Sequence, residues 1–271
     1  MSDKQVAVKV LRGGSSSNPN FPPKSKERLV NNAWSWQYLK HANVSEFYGL
    51  AFNFGYMPAL ILPFYGNATV IDYVKEKDDE IKLDMVKQIA RGLDYLHEQS
   101  IVHGDLRGSN IIVDGEGYPR ICDYGLAFII DPSEFISIKT AGPCRWYAPE
   151  IMNPPDTISL NDSLALFTTE SDVYAFAMTV LEIFTGKIPF YQRRNDSSVI
   201  FTVLNGGRPE FPPCLDERKD LRDLVHDCWH EEPSRRPTSR EVNNMLNVGT
   251  SEDNRLSGGE NQPPGWFESL D

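Results

Sequence analysis

The chain has 271 residues, 40% of them hydrophobic, and a formal net charge of -11, with 38 Asp and Glu against 27 Lys and Arg. That length suits one large domain or two modest ones with a real core, while the acidic balance leaves no general basic face to neutralise phosphates, so nucleic acid and anionic membranes are not expected partners. No apolar run reaches the ~18 residues of a membrane span, and the opening "MSDKQVAVKV" has no signal-peptide pattern; the expectation is an intracellular, cytoplasmic protein. Cys122, Cys144, Cys214 and Cys228 show neither C-x-x-C spacing nor the density of a disulfide scaffold, and they read as reduced core or loop residues.

In chain order, "VAVKVL" predicts a strand and the turn-rich "RGGSSSNPNFPPK" a loop after it. Residues 26–40 carry Leu29, Ala33, Trp36 and Leu39 at near-helical spacing, and "FYGLAFNFG" and "PALILPFYG" then predict two strands. Over residues 83–99, Met85, Ile89, Leu93 and Leu96 form one apolar stripe, the mark of a helix with one buried face. "NIIV" and "YPRIC" flank the turn-like "DGEG" and predict a hairpin. "SDVYAFAMTVLEIFTG" is apolar nearly all round, which predicts a buried helix with Asp172 as cap at its start and a glycine at its end. "DLRDLVHDCW" and "TSREVNNML" predict two further helices, joined by the Pro- and Arg-rich "HEEPSRRP". Residues 249–271 are rich in Gly, Ser, Pro and acids and are expected to be disordered, with Trp266 and Phe267 the residues able to dock. No internal repeat is present.

The stretch "IVHGDLRGSNIIVDGEGYPRICDYGLA" sets Asp105, Asn110 and Asp123 at strand ends and connections. Singly they read as a turn residue, an Asx-turn and a cap. Taken together with Lys9 in "VAVK" and with "APE" downstream, "HGDLRGSN" and "DYG" meet the kinase signature set in order. The chain therefore resembles a protein kinase catalytic domain of the tyrosine-kinase-like or Ser/Thr type, from about residue 5 to 247. The resemblance implies an α+β, bilobal fold: a small β-rich N-terminal lobe, truncated, over residues 1–67, a larger mainly α-helical C-terminal lobe over residues 68–248, and the acidic tail over residues 249–271.

It also implies chemistry. Phosphoryl transfer is mostly positioning and charge compensation. By resemblance, Asp105 handles the proton of the attacking hydroxyl, Asn110 and Asp123 are the oxygen ligands of magnesium, and Lys9 pairs with the phosphates of ATP. Arg107 takes the place of the basic residue near the transferred group. Leu62 falls at the gatekeeper position, Phe64 and Tyr65 on the segment that meets adenine, and Ala7 and Ile112 above and below the ring. His103 and Tyr124 read as packing residues of the loop, Glu150 and Arg236 as a buried ion pair, and Asp172 as a helix cap that also holds the loop backbone.

The pattern is broken in four places. Only eight residues precede Lys9 and none is glycine, so the glycine-rich loop is absent: the chain is N-terminally incomplete, or works without that lid. Loss of the first strands would leave an exposed sheet edge. The helix glutamate that pairs with the lysine falls at Asn32, an uncharged amide, and Glu27 lies more than a turn away. Gly104 replaces the arginine that meets a phosphorylated loop, which weakens Ser133, Ser137 and Thr140 as control sites. Pro143 stands where Ser/Thr kinases carry a hydroxyl residue, leaving tyrosine open as the acceptor. The leading expectation is an ATP- and Mg2+-dependent kinase acting on Ser or Thr of a protein substrate. The alternative is a pseudokinase, a binding or scaffold module with little or no turnover; a small-molecule phosphotransferase is the third reading.

Overall fold

The computed structural model describes residues 5–11, 14–15, 18–19, 23–55, 57–66, 68–129, 143–154 and 164–247. The chain opens with β1 (Val6–Lys9), then β2 (Gly14–Ser15) and β3 (Asn18–Pro19), which pair with each other where the sequence predicts only a loop. Glycine, serine, asparagine and proline are turn formers, and that same chemistry lets a chain double back. Helix α1 (Pro23–Trp36) follows, then β4 (Gly49–Ala51) and β5 (Ala59–Pro63). The main sheet has the order β1-β5-β4, all antiparallel, with Ala7 opposite Leu62 and Lys9 opposite Leu60. Among the described residues β1 is an edge strand, and Val6, Val8 and Val10 are exposed.

Leu29, Ala33, Trp36 and Leu39 are all buried, as the spacing predicts, although α1 ends at Trp36 and Leu39 sits in the tight turns after it. Trp36 packs edge-on against Phe47, at 5.7 Å between ring centres, and against Tyr124, at 5.8 Å. This ties α1 both to the sheet and to the "DYG" segment.

The remainder is mainly helical: α2 (Val70–Val74), α3 (Asp79–Glu98), the hairpin β6 (Ile111–Val113) and β7 (Pro119–Ile121), then α4 (Pro149–Met152), α5 (Thr169–Thr185), α6 (Asp196–Leu204), α7 (Lys219–Cys228) and α8 (Ser239–Asn247). Helix α3 starts a turn before its apolar stripe, because the Asp78 carboxylate accepts from Ile81 N at 2.9 Å and the first turn is polar. Its Gly92 meets the loop after α1 so closely that a Cβ there would lie 2.7 Å from Asn43 O. The same loop joins the two regions: the Asn43 amide donates to Gln88 Oε1 at 3.0 Å and to Pro119 O at 3.2 Å, while Asn43 O accepts from Ile121 N.

Helix α5 is buried from Ser171 to Phe184. It includes Val173, Val180 and Ile183, whose helix propensity falls short of alanine by at most ~0.7 kcal/mol each; burying such a side chain returns ~1.5–3 kcal/mol, so packing decides the outcome. One expectation needs correction. Asp172 does not cap α5: Thr168 does, in a capping box with Ser171, and Gly186 closes the other end with φ 64°. Asp172 is inside the first turn, where its carboxylate is freed for the neighbouring loop.

The expected ion pair forms. Glu150 grips Arg236 with both oxygens, at 2.7 and 2.8 Å, and the guanidinium spends its remaining N–H groups on the carbonyls of His230, Glu170 and Glu231. All five donors of the fully buried guanidinium are thereby used. Ser133, Ser137, Thr140, Trp266 and Phe267 lie outside the described residues.

Two stability outcomes follow from this packing. Glu150→Ala leaves a buried guanidinium without its counter-charge and should cost ~3–5 kcal/mol in urea unfolding; a loss under 1 kcal/mol, on the order of an exposed pair, would contradict the burial argument. Gly92→Ala, which in an exposed helix would gain ~1 kcal/mol, should instead lower the melting temperature, because the added methyl meets the Asn43 carbonyl.

Candidate active site

Between the sheet and the helical region lies a cleft of about 330 Å³. Ala7, Val8 and Lys9 of β1 form one wall, Leu62, Pro63, Phe64 and Tyr65 form the back, and Ile112 and Asp123 close the opposite side. Cross-strand pairing of Ala7 with Leu62 turns these two side chains toward one face. Every residue that the sequence assigns to nucleotide contact thus meets in one cavity except Asn110, which adjoins it through Ser109. A larger, more open hollow of about 410 Å³ lies behind the same segment and shares Pro63 and Tyr65; none of the catalytic-type acids reaches it.

Four hydrogen bonds to the backbone shape the acidic side. His103 Nδ1 accepts from Asp105 N at 3.1 Å, which puts the ring proton on Nε2, where it meets Cys122 O at 2.9 Å. Cys122 N donates to Asn110 O and Gly125 N to His103 O. Asp105, Asn110 and Asp123 are in this way held together across 18 residues of sequence. Gly104 has φ 79°, and a Cβ on it would lie 2.7 Å from Ala127 Cβ, so this position demands glycine in the present packing.

Asp105 Oδ1 is buried and has no hydrogen-bond partner among the described residues. Its other oxygen accepts from Asn110 Nδ2 at 2.9 Å and lies 3.3 Å from Arg107 Nε, a contact too poorly aligned to count as a hydrogen bond. Burial raises the Asp105 pKa, Arg107, His103 and Asn110 oppose that rise, and Asp123 adds to it. An unspent, desolvated carboxylate oxygen beside two cationic or donor groups is suited to take a proton from a hydroxyl.

The oxygen set fits a hard divalent cation. Asn110 donates both amide hydrogens to Asp105, at 2.7 Å to the carbonyl and 2.9 Å to the carboxylate, which leaves Oδ1 as a neutral ligand. Asp123 supplies the charged one. It adopts φ 64°, a left-handed backbone that is costly outside glycine and is found where side-chain aim matters more than local comfort. Two oxygens suit magnesium, which keeps several waters. In this conformation Asp123 Oδ2 is ion-paired to Lys9 Nζ. Asn32, in the middle of α1, is half-buried and uncharged.

The floor beneath Asp105 depends on two buried acids of α5. Asp172 accepts from His103 N at 2.6 Å and Gly104 N at 2.9 Å, and its Oδ2 lies 3.0 Å from His97 Nε2. Glu182 accepts from Gly108 N at 2.9 Å and from Trp146 Nε1 at 3.0 Å; burial pushes its pKa up, against these donors and Arg107. Arg107 in turn lies over Trp146, 6.0 Å from the ring centre. Sequence reasoning missed Glu182, although an acid in an otherwise apolar helix was a signal, and it missed Val8, Ser45, Ser109 and Cys122 of the cleft wall. Val8, Ser109 and Cys122 adjoin motif residues; Ser45 has no such marker and arrives through its backbone bond to Ile121 O at 2.8 Å.

Comparison with known proteins bears on this arrangement. Residues 1–246 match the family model for protein tyrosine and serine/threonine kinases. A light-sensor protein kinase of Ceratodon purpureus is 35% identical over 173 residues, covering 58% of this chain and 13% of its own length. Serine/threonine-protein kinase 12 of Arabidopsis thaliana is 29% identical over 252 residues, 88% of this chain and 50% of its own. Tyrosine-protein kinase TXK of Mus musculus is 28% identical over 251 residues, 89% of this chain and 43% of its own. The chain spans half or less of the length of these relatives. No helix among the described residues is long and apolar enough to cross a membrane. With the family model matched over almost its whole length, this chain belongs to the protein tyrosine and serine/threonine kinase family.

Proposed function

We propose that this chain is an active protein kinase that moves the γ-phosphoryl group of ATP to serine or threonine hydroxyls of a protein substrate. The observation that carries the reading is Asp105 Oδ1, buried and unspent, held beside Asn110 and Asp123. Adenine would lie between Ala7 and Ile112, against Leu62, with the backbone of Phe64 and Tyr65 at its edge. Asn110 and Asp123 would hold magnesium, which when bound offsets charge on the phosphate oxygens. Asp105 orients the acceptor hydroxyl and takes its proton, while Arg107 faces the group in flight and Lys9 the remaining phosphates. The reading puts the chain inside the cell, where ATP is, and its four cysteines are free.

A second reading, a pseudokinase, draws support from the ion pair between Lys9 and Asp123 and from the uncharged Asn32, since the phosphate-binding cation and a metal ligand neutralise each other. The two readings part on turnover. Incubation with labelled ATP, magnesium and a mixed peptide library should give transfer to serine or threonine, reduced ~10²–10⁴-fold in Asp105→Asn. No transfer from folded protein would leave the pseudokinase reading, and label on tyrosine would overturn the acceptor assignment.

The pH profile is a separate check. Proton acceptance needs the carboxylate, and the Asp105 pKa is raised, so kcat/KM should fall as pH drops through a value above the ordinary aspartate pKa of ~3.9. Residual transfer by Asp105→Asn should lack this acid limb. An acid limb shared by both proteins would assign it to another group.

A further inference from the structure

The charges of the cleft pair off in an unusual way. Lys9 is ion-paired to Asp123 in the cleft wall, and beside it Arg107 lies 3.3 Å from Asp105, so two cations face two carboxylates. Helix α1 offers Lys9 no alternative: its one acid is Glu27, which makes no ion pair among the described residues, and its residue 32 is an amide. A third carboxylate in such a site would leave it net negative toward a polyphosphate until a divalent cation arrived. Here that excess is missing. The pair is also partly shielded from water, with the Lys9 side chain 37% and the Asp123 side chain 19% exposed, so screening weakens it less than a surface pair.

We propose that Lys9 is the resident counter-ion of Asp123, standing in for a divalent cation, and that the cleft consequently binds a nucleoside di- or triphosphate without metal. This rests on the nucleotide reading of the cleft given above. Asp123 lines the cleft together with its partner Lys9, so its carboxylate lies where a polyphosphate would enter. What repels phosphate there is its bare charge, and Lys9 removes that charge while keeping further N–H donors for a phosphate oxygen. A divalent cation then competes with Lys9 for Asp123 and adds little to affinity, whatever it contributes to transfer. Lys9 acts here as a positioning and charge-balancing residue, and what identifies that role is the response of affinity to metal.

The test is equilibrium binding of a fluorescent anthraniloyl-ADP, followed by its emission, in excess EDTA and in excess magnesium. Wild-type protein should bind in EDTA within about tenfold of its affinity in magnesium, a difference of at most ~1.4 kcal/mol. Lys9→Met bares Asp123, so its loss of affinity should be at least about tenfold greater in EDTA than in magnesium; Lys9→Arg keeps the cation and should behave as wild type. Asp123→Asn should bind in EDTA and no longer respond to magnesium. Near-ultraviolet circular dichroism on each variant separates these effects from misfolding. Wild-type binding seen only with magnesium overturns the proposal and leaves the nucleotide reading intact, and so does a Lys9→Met loss equal in both conditions. Binding in neither condition overturns both.

Discussion

The acidic loop of the cleft hangs from one buried carboxylate. Asp172 is 1% exposed and takes two backbone N–H groups, those of His103 and Gly104, with His97 sharing the oxygen that His103 N meets. A buried carboxylate is tolerable only when so many donors meet it. Here the compensation runs both ways: the loop satisfies the acid, and the acid fixes a glycine backbone that no other residue would adopt comfortably. Asp105 follows Gly104 directly, so its carboxyl position is inherited from α5. That helix is a suitable anchor because its burial from Ser171 to Phe184 leaves it little room to shift.

A second buried acid of α5, Glu182, extends the support to the far end of the same loop. Through Gly108 N it fixes the turn that leads to Asn110, and through Trp146 Nε1 it fixes the ring on which Arg107 lies. One helix therefore aims Asp105, Asn110 and the neighbouring guanidinium of Arg107. The upper wall is attached differently: among the described residues β1 pairs with β5 alone, has exposed valines, and brings Lys9 to Asp123 without help from an acid of α1. The charge balance of the cleft consequently depends on a pair that bridges its two sides. Any motion of β1 away from the hairpin would separate that pair.

Much of this is legible in the sequence. The periodic positions Leu29, Ala33, Trp36, Met85, Ile89, Leu93 and Leu96 are all buried, and both predicted hairpin partners pair. Periodicity reports which face of an element is apolar, and burial follows that face. Boundaries were less legible, as at α3, because a polar first turn carries no apolar period. The cap of α5 was misread for a related reason: both Thr168 and Asp172 are good capping residues, and only the backbone path reveals which one precedes the first helical turn.

By itself the sequence determined the longer periodic elements, the family and the motif residues that reach the cleft, because these rest on local spacing and ordered motifs. Tertiary structure alone decided the electrostatic state of that cleft. The pairing of Lys9 with Asp123 joins residues 114 apart, and Glu182 reaches Gly108 across 74. No local pattern encodes such contacts: each depends on where two independently folded segments are brought by the packing of others. The raised pKa of Asp105 has the same origin, since desolvation is a property of the whole surrounding shell and not of the residue that titrates.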